Sequence, residues 1–217
     1  RDRSMVAGAF LALGQKDFKR LLAYSSISQI GYVLFAFGLG TPLGFLAGLF
    51  HLLNHAAFKS LLFLNSGAVV YATDNRDMER MGGLSQRMPV TGATSLIASL
   101  SISGIPPLGG FWSKLLIVLA AVECKHYILA GVAVLTSIVT LAYYLKVQKL
   151  AFFGTLKQVY KGIKEVPVLM CASMVILAVI TLGLGVLLIP DIRSVVLDPA
   201  TKVIAGGVEY AKMVLGG

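Results

Sequence analysis

The sequence predicts an all-α integral membrane bundle of five to six transmembrane helices, one of them interrupted. Three observations carry that class. Hydrophobic residues make up 57% of the chain and charged residues only 13%, whereas a soluble domain carries roughly a quarter of its residues as charges. Apolar runs of about 20 residues, enough to cross a bilayer as helix, recur along the chain. The basic residues gather in alternate loops, the asymmetry expected of a multi-pass protein.

The elements follow in order. Residues 1–13 form a short first span; Met5 to Leu13 is apolar, and the opening Arg1-Asp2-Arg3-Ser4 has neither an initiator methionine nor a signal-peptide pattern. A processed start, a longer polypeptide or one half of a split subunit is therefore expected. Residues 21–40 form the first complete span, and 43–71 a longer one that accommodates its length by tilting. Residues 90–122 are apolar but interrupted at 104–110 by Gly-Ile-Pro-Pro-Leu-Gly-Gly, and spans over 127–153 and 166–189 complete the set. Residues 190–217 interleave Val203, Ile204, Tyr210, Met213, Val214 and Leu215 with Lys202, Glu209 and Lys212, the pattern of a short interfacial helix or an ordered amphiphilic tail.

Alternation of these spans puts the loops 14–20, 72–89 and 154–165 on one side, the last continuing a basic stretch that starts at Lys146. Apart from the chain ends, the opposite side has only Lys125 in its loops. The basic loops are therefore expected to be cytoplasmic, with the chain in the cell (inner) membrane. The same asymmetry accounts for the net charge of +9 without nucleic acid. Cys124 and Cys171 fit neither a disulfide framework nor a metal-ligand spacing. No nucleophile–base pair, phosphate loop or cofactor motif occurs, so no cofactor and no catalytic centre are expected.

Ionisable side chains inside a bilayer are expensive and are functional candidates for that reason. Lys59 lies deep in the third span within His51-Leu-Leu-Asn-His55-Ala-Ala-Phe-Lys59. Residues four apart share a helical face, so His51, His55 and Lys59 form one polar stripe rising about 12 Å, with Asn54 beside it. Lysine and histidine are side chains whose charge responds to desolvation and neighbouring charge, which suits a proton relay. The alternatives are a snorkelling or carboxylate-paired Lys59, and histidines that bridge helices. A two-histidine metal site lacks a third ligand in the pattern.

Lys114 is the second site, following the break formed by Gly104, Pro106, Pro107, Gly109 and Gly110. Proline removes a backbone donor, and unpaired backbone at membrane depth is tolerated only where protein or water satisfies it. Interrupted helices in transporters line ion sites; the alternative is a kinked or re-entrant turn with Lys114 near the interface. Tyr24, Ser25, Ser28 and Gln29 suit either a hydrated wall or interhelical hydrogen bonds. All ten carboxylates fall in loops or at ends, so the counter-charges for two buried lysines are expected from a missing half or another subunit.

Four runs occur in order: Gln15-Lys-Asp-Phe-Lys-Arg-Leu-Leu-Ala-Tyr-Ser-Ser-Ile-Ser-Gln-Ile-Gly-Tyr32, His51-Leu-Leu-Asn-His-Ala-Ala-Phe-Lys-Ser-Leu-Leu-Phe-Leu64, Met81-Gly-Gly-Leu84 and Gly104-Ile-Pro-Pro-Leu-Gly-Gly-Phe-Trp-Ser-Lys114. Together they closely resemble the antiporter-like subunits shared by respiratory complex I, Mrp-type cation/proton antiporters and energy-converting membrane-bound hydrogenases. Phe111 to Ile117, Tyr143 to Lys149 and the tail resemble the Mrp and archaeal hydrogenase or sulfane-reductase branch. Members of the family contain two inverted repeats, each with one interrupted helix. The resemblance implies that this chain is the second repeat plus the last helix, without the first repeat and its glutamate–lysine pair. It implies that Lys59 is the central-axis lysine, His51 and His55 its accompanying histidines, and Lys114 the lysine of the second interrupted helix.

The leading expectation is a subunit that moves protons or Na⁺ along Lys59, His55, His51 and Lys114, driven by redox chemistry or an ion gradient elsewhere in a multisubunit membrane complex. The competing one is a half-subunit that no longer transports and instead anchors or seals its neighbours. The missing carboxylates favour the second, and the retained lysines the first.

Overall fold

The computed structural model describes the backbone of residues 2–215 and the side chains of residues 4–207. Arg1, where the first span is expected to begin, and the side chains of Glu209, Tyr210, Lys212, Met213, Val214 and Leu215 lie outside the described residues.

Eight α-helices form among the described residues, and most of their ends have a local cause. Helix α1 covers Asp2–Leu13 and α2 covers Phe18–Gly38. Asp17 caps α2 by accepting from Arg20 N at 3.0 Å, satisfying one of the orphan donors of a first turn. Helix α3, Pro42–Thr73, starts with Thr41 accepting from Gly44 N at 3.1 Å and Pro42 preset for the first turn. Helix α4, Pro89–Ser103, stops at Gly104, whose φ of 83° is open to a residue without Cβ. Helix α5 is Gly109–Glu123; α6 is Tyr127–Val147, extended by a π-helical turn over Gln148–Phe152. Helix α7, Val168–Gly183, runs into a 3₁₀ segment at Leu184–Leu188.

Helix α8, Pro190–Leu215, contains Pro199 and is 26 residues long. Residues 190–217, read from sequence as a short interfacial helix or a tail, are therefore mostly one long helix. Its buried Leu197 packs on Leu46 and Phe50 of α3, and Arg193 pairs with Asp198 at 3.3 Å.

Among the described residues, four helical segments are individually long and apolar enough to cross a membrane: Phe18–Gly38, Pro42–Thr73, Tyr127–Phe152 and Val168–Leu188. The two halves α4 and α5 are 15 residues each, about 22 Å apiece. Helix α3 is the hub, packed by α2, α4, α5, α7 and α8, while α6 closes the bundle against α1, α4 and α5. The outward faces of α6 and α7 are apolar; Ile128, Val168 and Leu169 are each more than 80% exposed. That exposure is untenable in water at this extent and natural against lipid.

The three basic loops are sewn together on one face. Phe18 N donates to Arg76 O and Met78 N to Lys16 O, both at 3.0 Å. Gly83 N donates to Phe153 O at 2.9 Å, and Lys146 Nζ reaches Leu13 O and Gln15 O at 3.1 and 2.9 Å. Glu165 caps α4 from that face, accepting from Val90 N at 2.8 Å, Thr91 N at 3.2 Å and Thr91 Oγ1 at 2.6 Å. Glu165→Ala removes these three bonds and a fourth from Val166 N at 3.2 Å, and is expected to destabilise by about 1–2 kcal/mol. The thermal unfolding midpoint of the purified protein should fall; an unchanged midpoint would show that water replaces the cap without loss.

Candidate functional site

The break between α4 and α5 is a side-by-side overlap of two helix ends. A Cβ on Gly110 would collide with the carbonyl of Ser101, and one on Gly109 with Asn54 Oδ1 of α3. Glycine at both positions therefore lets α5 begin against the end of α4 and the middle of α3. Ser113 and Lys114 follow on the first turns of α5 and are buried.

Lys59 is 5% exposed. Its ammonium donates to Leu22 O at 2.7 Å, to Ser25 Oγ, and to Tyr144 OH at 3.4 Å. Ser25 Oγ in turn donates to Leu22 O at 2.9 Å and lies 3.0 Å from Tyr144 OH. Lys114 is also 5% exposed. Its ammonium donates to Ser137 Oγ at 3.1 Å and sits 5.2 Å from the centre of the Tyr32 ring, in cation–π range. Among the described residues, no carboxylate lies within ion-pair distance of either ammonium. Both are held by neutral oxygens and aromatic faces.

The histidines lead from one lysine towards the other. His51 is fully buried, its Nδ1 is 2.8 Å from Ser113 Oγ, and its ring is 5.6 Å from that of Tyr32. Tyr32 thus lies between His51 and Lys114, its hydroxyl donating to Ala133 O at 2.6 Å. Half-buried His55 stands edge-on to Phe58 at 5.7 Å. His51 Nε2, His55 Nε2, Asn54 Oδ1, Tyr143 OH and both amide atoms of Gln29 are buried without a protein partner. An orphaned buried polar atom costs about 1–3 kcal/mol, a cost that water or another protein segment offsets by supplying the partner.

The sequence-predicted wall divides. Ser25 and Gln29 face the interior, and Asn54 donates from Nδ2 to Phe50 O at 2.9 Å while its Oδ1 points at the break. Ser28 instead donates to Met5 O at 2.7 Å and fastens α1. Tyr24 packs, partly buried, against the apolar core. Tyr144, Ser113 and Ser137 have no distinguishing sequence signal, since each is a common polar residue in an apolar run. Among the described residues, no three His, Cys, Asp or Glu side chains converge, so the His51–His55 pair has no further metal ligand beside it.

One broken helix, two buried lysines and a histidine stripe thus share one bundle of membrane helices. The chain belongs to the NADH:quinone oxidoreductase/Mrp antiporter transmembrane family, whose model matches residues 3–140. It is 46% identical over 156 residues to NAD(P)H-quinone oxidoreductase subunit 5 of Paulinella chromatophora, covering 68% of this chain and 23% of that protein. Its fold is similar to a chain of the archaeal membrane-bound sulfane sulfur reductase, with a TM-score of 0.81 and 37% identity over 85% of this chain and 31% of that one. It is also similar to a chain of the Mrp complex from Dietzia, with a TM-score of 0.84 and 26% identity over 94% of this chain and 45% of that one. The chain thus spans less than half the length of each of these relatives.

Proposed function

We propose that this chain is the second inverted repeat, with the last helix, of an antiporter-like subunit, and that it moves protons or Na⁺ through a multisubunit complex of the cell membrane. The observation that carries the reading is the pair of buried ammoniums, Lys59 and Lys114, held by neutral oxygens, with His51, Ser113 and Tyr32 in contact beside Lys114. Charged groups at this depth are retained at a cost that packing alone does not repay. The face carrying the basic loops is the cytoplasmic one. The driving reaction, redox chemistry or an ion gradient, lies elsewhere in the complex. The membrane carboxylates that complete the route come from the rest of a longer polypeptide or from a neighbouring subunit.

The test is ion translocation by the reconstituted complex with Lys59 and Lys114 each replaced by Ala or Met. Loss of translocation with the complex still assembled supports the reading. Unchanged translocation with both replaced would overturn it and leave the anchoring half-subunit, which the absence of carboxylates near the two ammoniums among the described residues favours. A graded result is expected at Ser25. Ser25→Ala removes one of three acceptors of the Lys59 ammonium and leaves Leu22 O in place, so the rate should fall by roughly tenfold, the equivalent of one hydrogen bond to a charged group. Initial rates of internal acidification or Na⁺ uptake in proteoliposomes check this.

A further inference from the structure

Helix α8 turns its charges towards the protein and apolar side chains away from it. Arg193 and Thr201 share a helical row with Leu197, and Ser194, Asp198 and Lys202 form the adjacent row. These polar side chains line an open cavity of about 420 Å³, whose other wall is Pro42, Leu43 and Leu46 on the first turns of α3. The row on the far side of α8 carries Val195 and Val203, each more than 70% exposed. A helix lying on a protein surface in water would point such valines at the protein and the charges at solvent. Here the order is reversed, as suits a helix with lipid outside it and a polar-sided cavity within.

Three properties of the cavity select its occupant. It lies at the face opposite the basic loops, because α3 starts there at Pro42 and α8 follows the span that ends at Leu188. Loops on that face hold only Lys125, so two cations in one cavity run against the charge segregation of the chain. Those cations are also incompletely neutralised: Arg193 and Lys202 against Asp198 leave a net charge of +1, to which the N-terminal end of α3 adds its dipole. Arg193 Nε lies 3.3 Å from Asp198 Oδ1 but is buried without a hydrogen bond. Among the described residues, no carboxylate lies within ion-pair distance of Lys202. Finally, Ser194 Oγ donates to Asp191 O at 2.7 Å and Thr201 Oγ1 to Leu197 O at 2.8 Å, which leaves both hydroxyl oxygens able to accept.

We propose that this cavity binds the headgroup of a phospholipid with one net negative charge, for which phosphatidylglycerol has the matching chemistry. The phosphodiester pairs with the Lys202 ammonium and the Arg193 guanidinium, the glycerol hydroxyls donate to Ser194 and Thr201, and the start of an acyl chain lies on Leu43 and Leu46. That apolar floor selects a lipid over a soluble phosphodiester, which would leave the leucines uncovered. The bound lipid would fasten α8 to α3 beside the contact of Leu197 with Leu46 and Phe50. None of this depends on whether the chain moves ions.

The test uses the full-length protein in its assembled complex, reconstituted in phosphatidylcholine nanodiscs with a phosphatidylglycerol that carries a photoreactive diazirine near the top of one acyl chain. Crosslinked peptides are mapped by mass spectrometry, and unlabelled phosphatidylglycerol is titrated as competitor. Crosslinks are expected within residues 42–46 and 193–202. Each surface cation is worth about fivefold in lipid affinity, so Arg193→Gln with Lys202→Gln should move the competition midpoint by roughly thirtyfold. Lys125→Gln, which removes a cation from the same face but not from the cavity, should leave it in place. Lys202→Gln alone keeps the Arg193–Asp198 pair and should still show about fivefold if the double variant does not assemble. Absence of crosslinks in these two segments, an unmoved midpoint in Lys202→Gln, or equal competition by phosphatidylcholine would overturn the proposal. Equal competition by glycerophosphoglycerol, the headgroup without acyl chains, would overturn the lipid and assign a soluble phosphodiester instead.

Discussion

Lys59→Met should reduce coupled ion translocation by about two orders of magnitude, the loss typical when a positioned proton-transfer group is deleted. The complex should nevertheless assemble. Methionine reproduces the unbranched stem of lysine and fills irregular apolar space, so the packing that α3 makes through its own Phe58, Leu61 and Leu62 is conserved. What disappears is the donor that Leu22 O, Ser25 Oγ and Tyr144 OH share. Ser25 and Tyr144 keep each other as partners at 3.0 Å, which limits the structural damage. Lys59→Arg separates two explanations. A guanidinium retains the charge but does not release its proton, so a relay needs it to fail, whereas a fixed positive charge that merely holds the helices would be rescued. Proteoliposome uptake per turnover, measured beside the yield of assembled complex, distinguishes them.

Gly110→Ala should be the most damaging small substitution in the chain. The added methyl would collide with the Ser101 carbonyl, which belongs to backbone at the end of α4 and cannot swing aside. Parting α4 from α5 also disturbs the contact of Gly109 with Asn54 and the bond from Ser113 Oγ to Gly110 O at 3.0 Å. The cost should be about 3 kcal/mol, the upper part of the range for overpacking, visible as loss of assembled complex or a lowered unfolding midpoint. Gly131→Ala provides the contrast. Gly131 is exposed within α6, and a methyl added there would meet nothing within 4 Å, so alanine should stabilise by up to about 1 kcal/mol through helix propensity. Equal stability of the two variants would refute the close packing at the break.

How much was legible from the sequence varies by kind of feature. The all-α membrane class follows from apolar run length and charge segregation, and both are properties of single segments. That Lys59 and Lys114 are special also follows locally, because a lysine far from either end of an apolar run has no way to reach water along its own helix. The partners of those lysines could not be read. Helical spacing aligns His51, His55 and Lys59, but the four-carbon stem of Lys59 carries its ammonium to α2 and α6, while His51 turns to Ser113 on α5. Ser28, four residues from Tyr24 and three from Ser25, is drawn away by α1. Which neighbour a polar side chain meets depends on helix rotation and crossing, and those are set by apolar packing on every other face.

Sequence by itself determined that this chain sits in lipid, which loops share a side, and that its buried charges are two lysines on a histidine stripe and beside a glycine–proline break. Tertiary structure alone decided that Tyr32 stands against both His51 and Lys114, that Tyr144 and Ser25 receive Lys59, and that Gln148 bridges Ser95 and Ser99. The physical reason is one of range. Burial and charge cost act on each segment separately and leave their mark in composition and period. A hydrogen bond across helices requires two side chains remote in sequence to arrive within about 3 Å, and only the packed bundle brings them there.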